Sequence, residues 1–155
     1  VSDTLRASLH AFLREHNVLT LAYADADGPA ACALWFAADD ALACYFLSAT
    51  TTRHGTALAQ GGPVAFTVQR DRQPWQGIQG VQGRGHCAPL PPEQQATAWT
   101  LYTARFPLVT QQFPDIQTAL ARAALWRIVP SWLRLIDNTR GFGHKEELHL
   151  AERPL

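Results

Sequence analysis

The chain has 155 residues, with thirteen basic side chains against thirteen acidic ones, and is 47% hydrophobic and 17% charged. That balance excludes the basic field that drives non-specific binding to nucleic acid or anionic membrane, and the apolar content excludes a disordered chain. One domain over residues 1–155 is expected, long enough to bury a core without staples.

Leu5, Leu9, Phe12 and Leu13 recur at the spacing of an amphipathic helix, and Asn17 is placed to end it. The period then changes. Val18 to Tyr23 reads as a strand, Asp25, Asp27, Gly28 and Pro29 supply a tight turn, and Ala31 to Ala37 reads as the next strand. Asp39 and Asp40 interrupt the apolar run before Leu42 to Ser48 resumes it, the pattern of a hairpin. Strands this apolar on both faces belong where a helix or another chain covers them, the first pointer to a homodimer.

Thr50, Thr51 and Thr52 precede Arg53 to Ala59, a short helix with a threonine cap that ends near Gly61 and Gly62. Val64, Phe66 and Val68 alternate with Ala65, Thr67 and Gln69 as a half-buried strand, and a longer strand is expected from Ile78 to Cys87. Pro91 and Pro92 open a helix carrying Trp99, Tyr102 and Phe106, which Pro107 stops; Pro114 and Asp115 open a shorter one through Arg122. Leu125 to Val129 and Trp132 to Ile136, parted by Pro130, read as one bent strand or two. This order of elements is α+β and mainly β, a barrel rather than a βαβ alternation.

Cys32, Cys44 and Cys87 form no close pair, and an odd count fits a reducing cytosol better than secretion. No apolar run is long enough to span a bilayer, and the first ten residues lack the apolar block of a signal peptide. The six histidines lack metal-site spacing, and no GxSxG nucleophile motif is present. The glycines at 77, 80, 83 and 85 match no nucleotide loop; they suit a strand bend or a flat ligand.

Two stretches carry chemistry. From Ser48 to His54, four hydroxyls, a guanidinium and an imidazole gather where a strand hands over to a helix, which suits either a phosphate site or an ordinary threonine cap with a solvated Arg53. From Asp137 to Lys145, two glycines flank Phe142 among polar side chains, which suits a loop that closes over a ligand or a plain polar turn.

At these residues the chain resembles the pyridoxamine 5'-phosphate oxidase-like split-barrel superfamily, and within it the small YhbP-like proteins. The resemblance runs from Leu5 to Leu148 and rests on Tyr45 to Ser48 with Thr52 to His54, on Gly80 to Gln82 with Gly85, on Arg105 to Pro107, and on Asp137 to Thr139 with Gly141 to Gly143 and Lys145. It implies a six-stranded split β-barrel with flanking helices that dimerises and holds FMN at the interface. By that likeness Trp35, Phe36, Leu47 and Ser48 lie along the isoalloxazine ring, Thr51, Thr52, Arg53 and His54 take the phosphate, and Gln82 reaches the polar edge of the flavin. Asn138, Phe142 and Lys145 are candidates for the substrate side. The tail lacks the arginine- and histidine-rich substrate motif of the vitamin-B6 oxidases, so that substrate is not carried over.

The reading that follows is a homodimeric flavin-dependent oxidoreductase of unknown substrate, with Trp35 and Trp126 at or near the dimer interface and no resident metal. Two alternatives stand beside it. One is a haem-handling protein using His144 or His149, and the other is a flavin-binding module without turnover.

Overall fold

The computed structural model describes residues 2–151. The chain runs α1 (Ser2–Glu15), β1 (Val18–Asp25), β2 (Gly28–Trp35), β3 (Ala37–Ala38), β4 (Cys44–Ser48), α2 (Arg53–Ala57), β5 (Gly62–Gln69), β6 (Gln79–Pro89), α3 (Pro92–Arg105), α4 (Val109–Gln112), α5 (Ile116–Leu120), β7 (Ala124–Asp137) and β8 (Lys145–His149). Short 3-10 turns at Trp75–Gly77 and Asn138–Arg140 complete it.

All the strands join one curled antiparallel sheet in the order β2-β1-β5-β6-β7-β4-β3, with β8 added to β7. This is the mainly β barrel architecture expected, with eight strands in place of six. The two extra strands escape a reading by period for different reasons. β3 is only two residues long, and β8 buries only Leu148 among polar neighbours.

The inner face of the sheet takes the apolar stripe of α1. Leu5, Leu9, Phe12 and Leu13 pack into one core with Phe66 and Trp126. Leu9 and Leu13 are fully buried, and each such side chain contributes roughly 1.5–3 kcal/mol of transfer free energy. β5 alternates as expected, Val64, Phe66 and Val68 inward and Ala65, Thr67 and Gln69 outward.

β7 is one strand, not two, and Pro130 marks a bulge. Arg84 pairs with Trp132 while Gly85 pairs with Pro130, so Ser131 is the extra residue. The bulge reverses the parity of the strand: Trp126 and Ile128 point inward before it, Leu133 and Leu135 after it. Trp126 is therefore not an interface residue. It is fully buried in the core of the chain, with its ring stacked on Phe46 at 5.9 Å and its Nε1 donating to Ser48 O at 3.0 Å.

Two of the β6 glycines serve packing rather than a ligand. Gly83 pairs with Phe66, whose ring occupies the space a Cβ would need. Gly85 lies against the Val129 carbonyl at the bulge, where a side chain would meet backbone. The helix α4 was not foreseen, and the strand expected from Leu42 begins only at Cys44 because Leu42 itself takes a φ of 68° in the turn. The first helix accommodates the expected stripe, although Val1 lies outside the described residues.

Candidate functional site

The corner where β4 hands over to α2 is built on Thr52. Its Oγ1 accepts from Gly55 N at 3.0 Å, capping α2, and donates to Ala49 O at 2.8 Å. His54 Nε2 lies 3.2 Å from the same hydroxyl. Ser48 Oγ lies 2.7 Å from the same nitrogen. Nδ1 faces the Cys32 thiol at 3.5 Å. His54 thus points inward, is buried, and has the edges of the Tyr23 and Phe46 rings about it. Burial pushes its imidazole below the ordinary histidine range.

Arg53 points the other way. Its Nε donates to Asp25 Oδ2 at 2.6 Å and its Nη2 to Asp27 Oδ2 at 2.9 Å, across to the β1–β2 turn. The hydroxyls, guanidinium and imidazole expected to meet at one place are therefore parted. His54, Ser48 and Thr52 form an interior knot, Arg53 lies outside on two carboxylates, and Thr50 and Thr51 face solvent.

The outer face of the sheet offers a different surface. Alternation leaves Ala31, Ala33 and Trp35 of β2 exposed beside Thr20 and Ala22 of β1 and Ala65 and Thr67 of β5. These small side chains make a flat floor. Trp35 stands at one edge of it, 48% exposed, stacked on Phe106 at 4.8 Å. Its expected companions are placed elsewhere. Phe36 is fully buried in the core, Leu47 packs beneath α3, and Ser48 is turned to His54.

Gln82 belongs to the outer face, in a cross-strand row that runs Thr20, Thr67, Gln82, Arg134, Glu147. Arg134 Nη1 donates to Gln82 Oε1 at 3.4 Å, while Nε and Nη2 clamp Glu147 Oε1 at 2.9 and 2.6 Å. Trp132 Nε1 donates to the other oxygen of Glu147 at 3.2 Å. Hydrogen bonds from Arg134 and then Trp132 hold the Glu147 carboxyl below its usual range. The amide of Gln82 is thereby oriented with its oxygen occupied and its NH2 group left for an acceptor. Sequence reading missed Arg134 and Glu147, because only strand pairing brings them beside Gln82.

Asn138 ties two loops together. Its Nδ2 donates to Trp75 O at 2.8 Å, and its Oδ1 accepts from Gly143 N at 3.0 Å. Phe142, 84% exposed, meets the Trp75 ring edge-on at 5.5 Å. Asn138 is therefore a brace and Phe142 a presented side chain, while Lys145 is exposed at the start of β8. Trp75 was not foreseen, since its exposure follows from the turn at Trp75–Gly77 rather than from any period.

His144 Nε2 lies 3.5 Å from Glu146 Oε2 and His149 is exposed. Among the described residues no group of three histidine, cysteine or acidic side chains could hold a metal ion, and no helix is long and apolar enough to cross a membrane.

A curled antiparallel sheet packed on an N-terminal helix, with a threonine-capped corner after β4, defines a split-barrel protein, and the pyridoxamine 5'-phosphate oxidase family profile matches residues 6–134. The chain belongs to that family. Within it, it is similar to a UPF0306 protein of Klebsiella pneumoniae subsp. pneumoniae, 31% identical over 92% of this chain and 91% of that one. In fold it is similar to a heme binding protein from Mycobacterium smegmatis, with a TM-score of 0.73 at 16% identity, covering 93% of this chain and 57% of that one. A conserved hypothetical protein from Mycobacterium tuberculosis has a TM-score of 0.70 at 21% identity, covering 86% and 85%.

Proposed function

We propose that this protein is a homodimeric FMN-binding oxidoreductase whose cofactor lies on the outer face of the sheet. The observation that carries the reading is the flat floor of Ala31, Ala33, Ala22 and Ala65, with the apolar ring of Trp35 at one side and the oriented NH2 of Gln82 at the other. Small residues admit a planar ring close to the backbone, and an amide donor matches its carbonyl and ring-nitrogen edge. That donor set fits the isoalloxazine end of a flavin. The phosphate end has the hydroxyls of Thr50 and Thr51 and the guanidinium of Arg53, opposed by Asp25 and Asp27.

A bound flavin supplies hydride and single-electron chemistry, and the protein supplies binding, orientation and electrostatics. Trp35 covers the apolar part of the ring and Gln82 fixes its polar edge. The exposed floor requires a cover, and a second copy of the chain meets that need on both protomers at once. Asn138 braces the loop that carries Phe142, which with Lys145 forms the substrate side. Neither ring side nor loop presents a group required as a catalytic acid or base.

Native protein purified without added cofactor is expected to be yellow, with the paired visible bands of oxidised flavin that bleach on reduction. Mass spectrometry of the small molecule released on denaturation identifies the occupant. Colourless protein that takes up neither FMN nor riboflavin overturns the proposal, and a Soret band lost in His144→Ala or His149→Ala replaces it with haem handling.

A further inference from the structure

The Arg53 side chain is 61% exposed, yet two of the three guanidinium nitrogens are already committed. Asp25 is not a casual partner. Its side chain is only 14% exposed, it ends β1 opposite Gly28, and its Oδ1 accepts from Asp27 N at 2.8 Å. Arg53 first, and then the Asp27 N–H, hold its carboxyl below the usual range, so it stays ionised. Asp27 is 84% exposed, whereas Asp25 is held in the turn.

The corner therefore carries one cation against two anions. Its other basic group, His54, is buried and turned inward, and α2 has five residues and little dipole to offer. Only Nη1 of Arg53 is left uncommitted, so a phosphate reaching it settles beside the Asp27 and Asp25 carboxylates, where like charges repel. The ring end, in contrast, loses nothing to the acids.

We propose that Asp25 and Asp27 are specificity-determining residues that compete with phosphate for Arg53, so that this site holds a flavin by its ring and discriminates little between FMN and riboflavin. The inference rests on the flavin reading for its ligand and on the geometry of Arg53 for its sign. Exposed ion pairs contribute modestly, so neutralising the acids should favour FMN over riboflavin by about five- to tenfold. Riboflavin affinity should stay level.

The experiment titrates the full-length protein, stripped of bound flavin, with FMN and with riboflavin. It compares wild type, Asp27→Asn, and the double variant Asp25→Asn with Asp27→Asn. Asparagine keeps the turn acceptor of Asp25, and Asp27→Asn alone reports the same direction from an exposed side chain. Addition of Arg53→Ala to the double variant should return the FMN-to-riboflavin ratio to its wild-type value or below. A ratio unchanged or lowered by acid neutralisation overturns the proposal. In parallel, inorganic phosphate is titrated against the backbone amides of residues 50–56 by NMR; it should shift them in the double variant and leave wild type unmoved. Equal shifts in both overturn the proposal even if neither flavin binds, so this arm stands apart from the flavin reading.

Discussion

The Ser48 hydroxyl and the His54 imidazole meet at 2.7 Å inside the β4–α2 corner, and that contact joins a strand to a helix through a buried titratable ring. Protonating His54 would place a charge where burial disfavours it. The folded-state pKa is lowered, so the unfolded chain binds the proton more readily. The contribution is intact above the unfolded value near about 6.5 and is lost as pH falls through the lowered folded value. Melting temperature should therefore decline on acidification below about pH 6.5, and His54→Gln should flatten that decline. Equal acid slopes in the two proteins would place the pH dependence elsewhere.

The Phe66 ring fills the space above Gly83. Gly83→Ala should destabilise the fold by roughly 1–3 kcal/mol, read from urea unfolding, because the ring must leave its rotamer or the strands must part. Combining it with Phe66→Leu should cost less than the sum of the two single changes, since the second removes the clash that the first creates.

A partner packed on the outer face should be sensitive to charge in its middle. Ala33→Arg leaves the protomer core untouched, since the side chain is exposed and its neighbours Thr20 and Thr67 are outward too. Sedimentation should find wild type dimeric at low micromolar concentration, with an interface above roughly 2,000 Å² in total, and Ala33→Arg monomeric with an unchanged far-ultraviolet spectrum. Trp126→Ala should instead lower stability by roughly 3–5 kcal/mol, as a core truncation does.

Gln82 owes its orientation to Arg134, and Arg134 to Glu147. Arg134→Met should weaken flavin binding several-fold, and Glu147→Gln should do the same by a smaller factor, in fluorescence titration. Neither change should matter further once Gln82→Ala is in place. Additive losses in that double-mutant cycle would mean that the two residues act on stability and not through the amide.

Local patterns were legible and distant pairings were not. The α1 stripe, the threonine cap before Arg53, the β5 alternation and the helix opening at Pro114 and Asp115 each depend on neighbours within a turn or two, and each was readable. Arg53 was readable as a cation but not as a paired one, because its partners Asp25 and Asp27 lie 28 and 26 residues earlier and reach it only after the sheet has curled. The same holds for Gln82, whose partner Arg134 is 52 residues away. Trp126 was misplaced because its strand, apolar on both faces, is covered from within the chain, Trp126 by the main core and Leu125 by Leu90 and Ala98.

One residue, Phe36, separates β2 from β3, and those two strands are the opposite ends of the hydrogen-bonded order. The chain therefore steps from one border of the sheet to the other within a single peptide unit. That seam is stitched by the Phe36 N–H donating to Asn17 O at 3.0 Å and by the Phe36 ring sunk in the core. At that junction the Phe36 N–H is spent within the chain, so it is withheld from strand-by-strand pairing with another molecule. Recognition at that junction is thereby left to side chains, which point substitutions can edit while the ladder beneath stays intact.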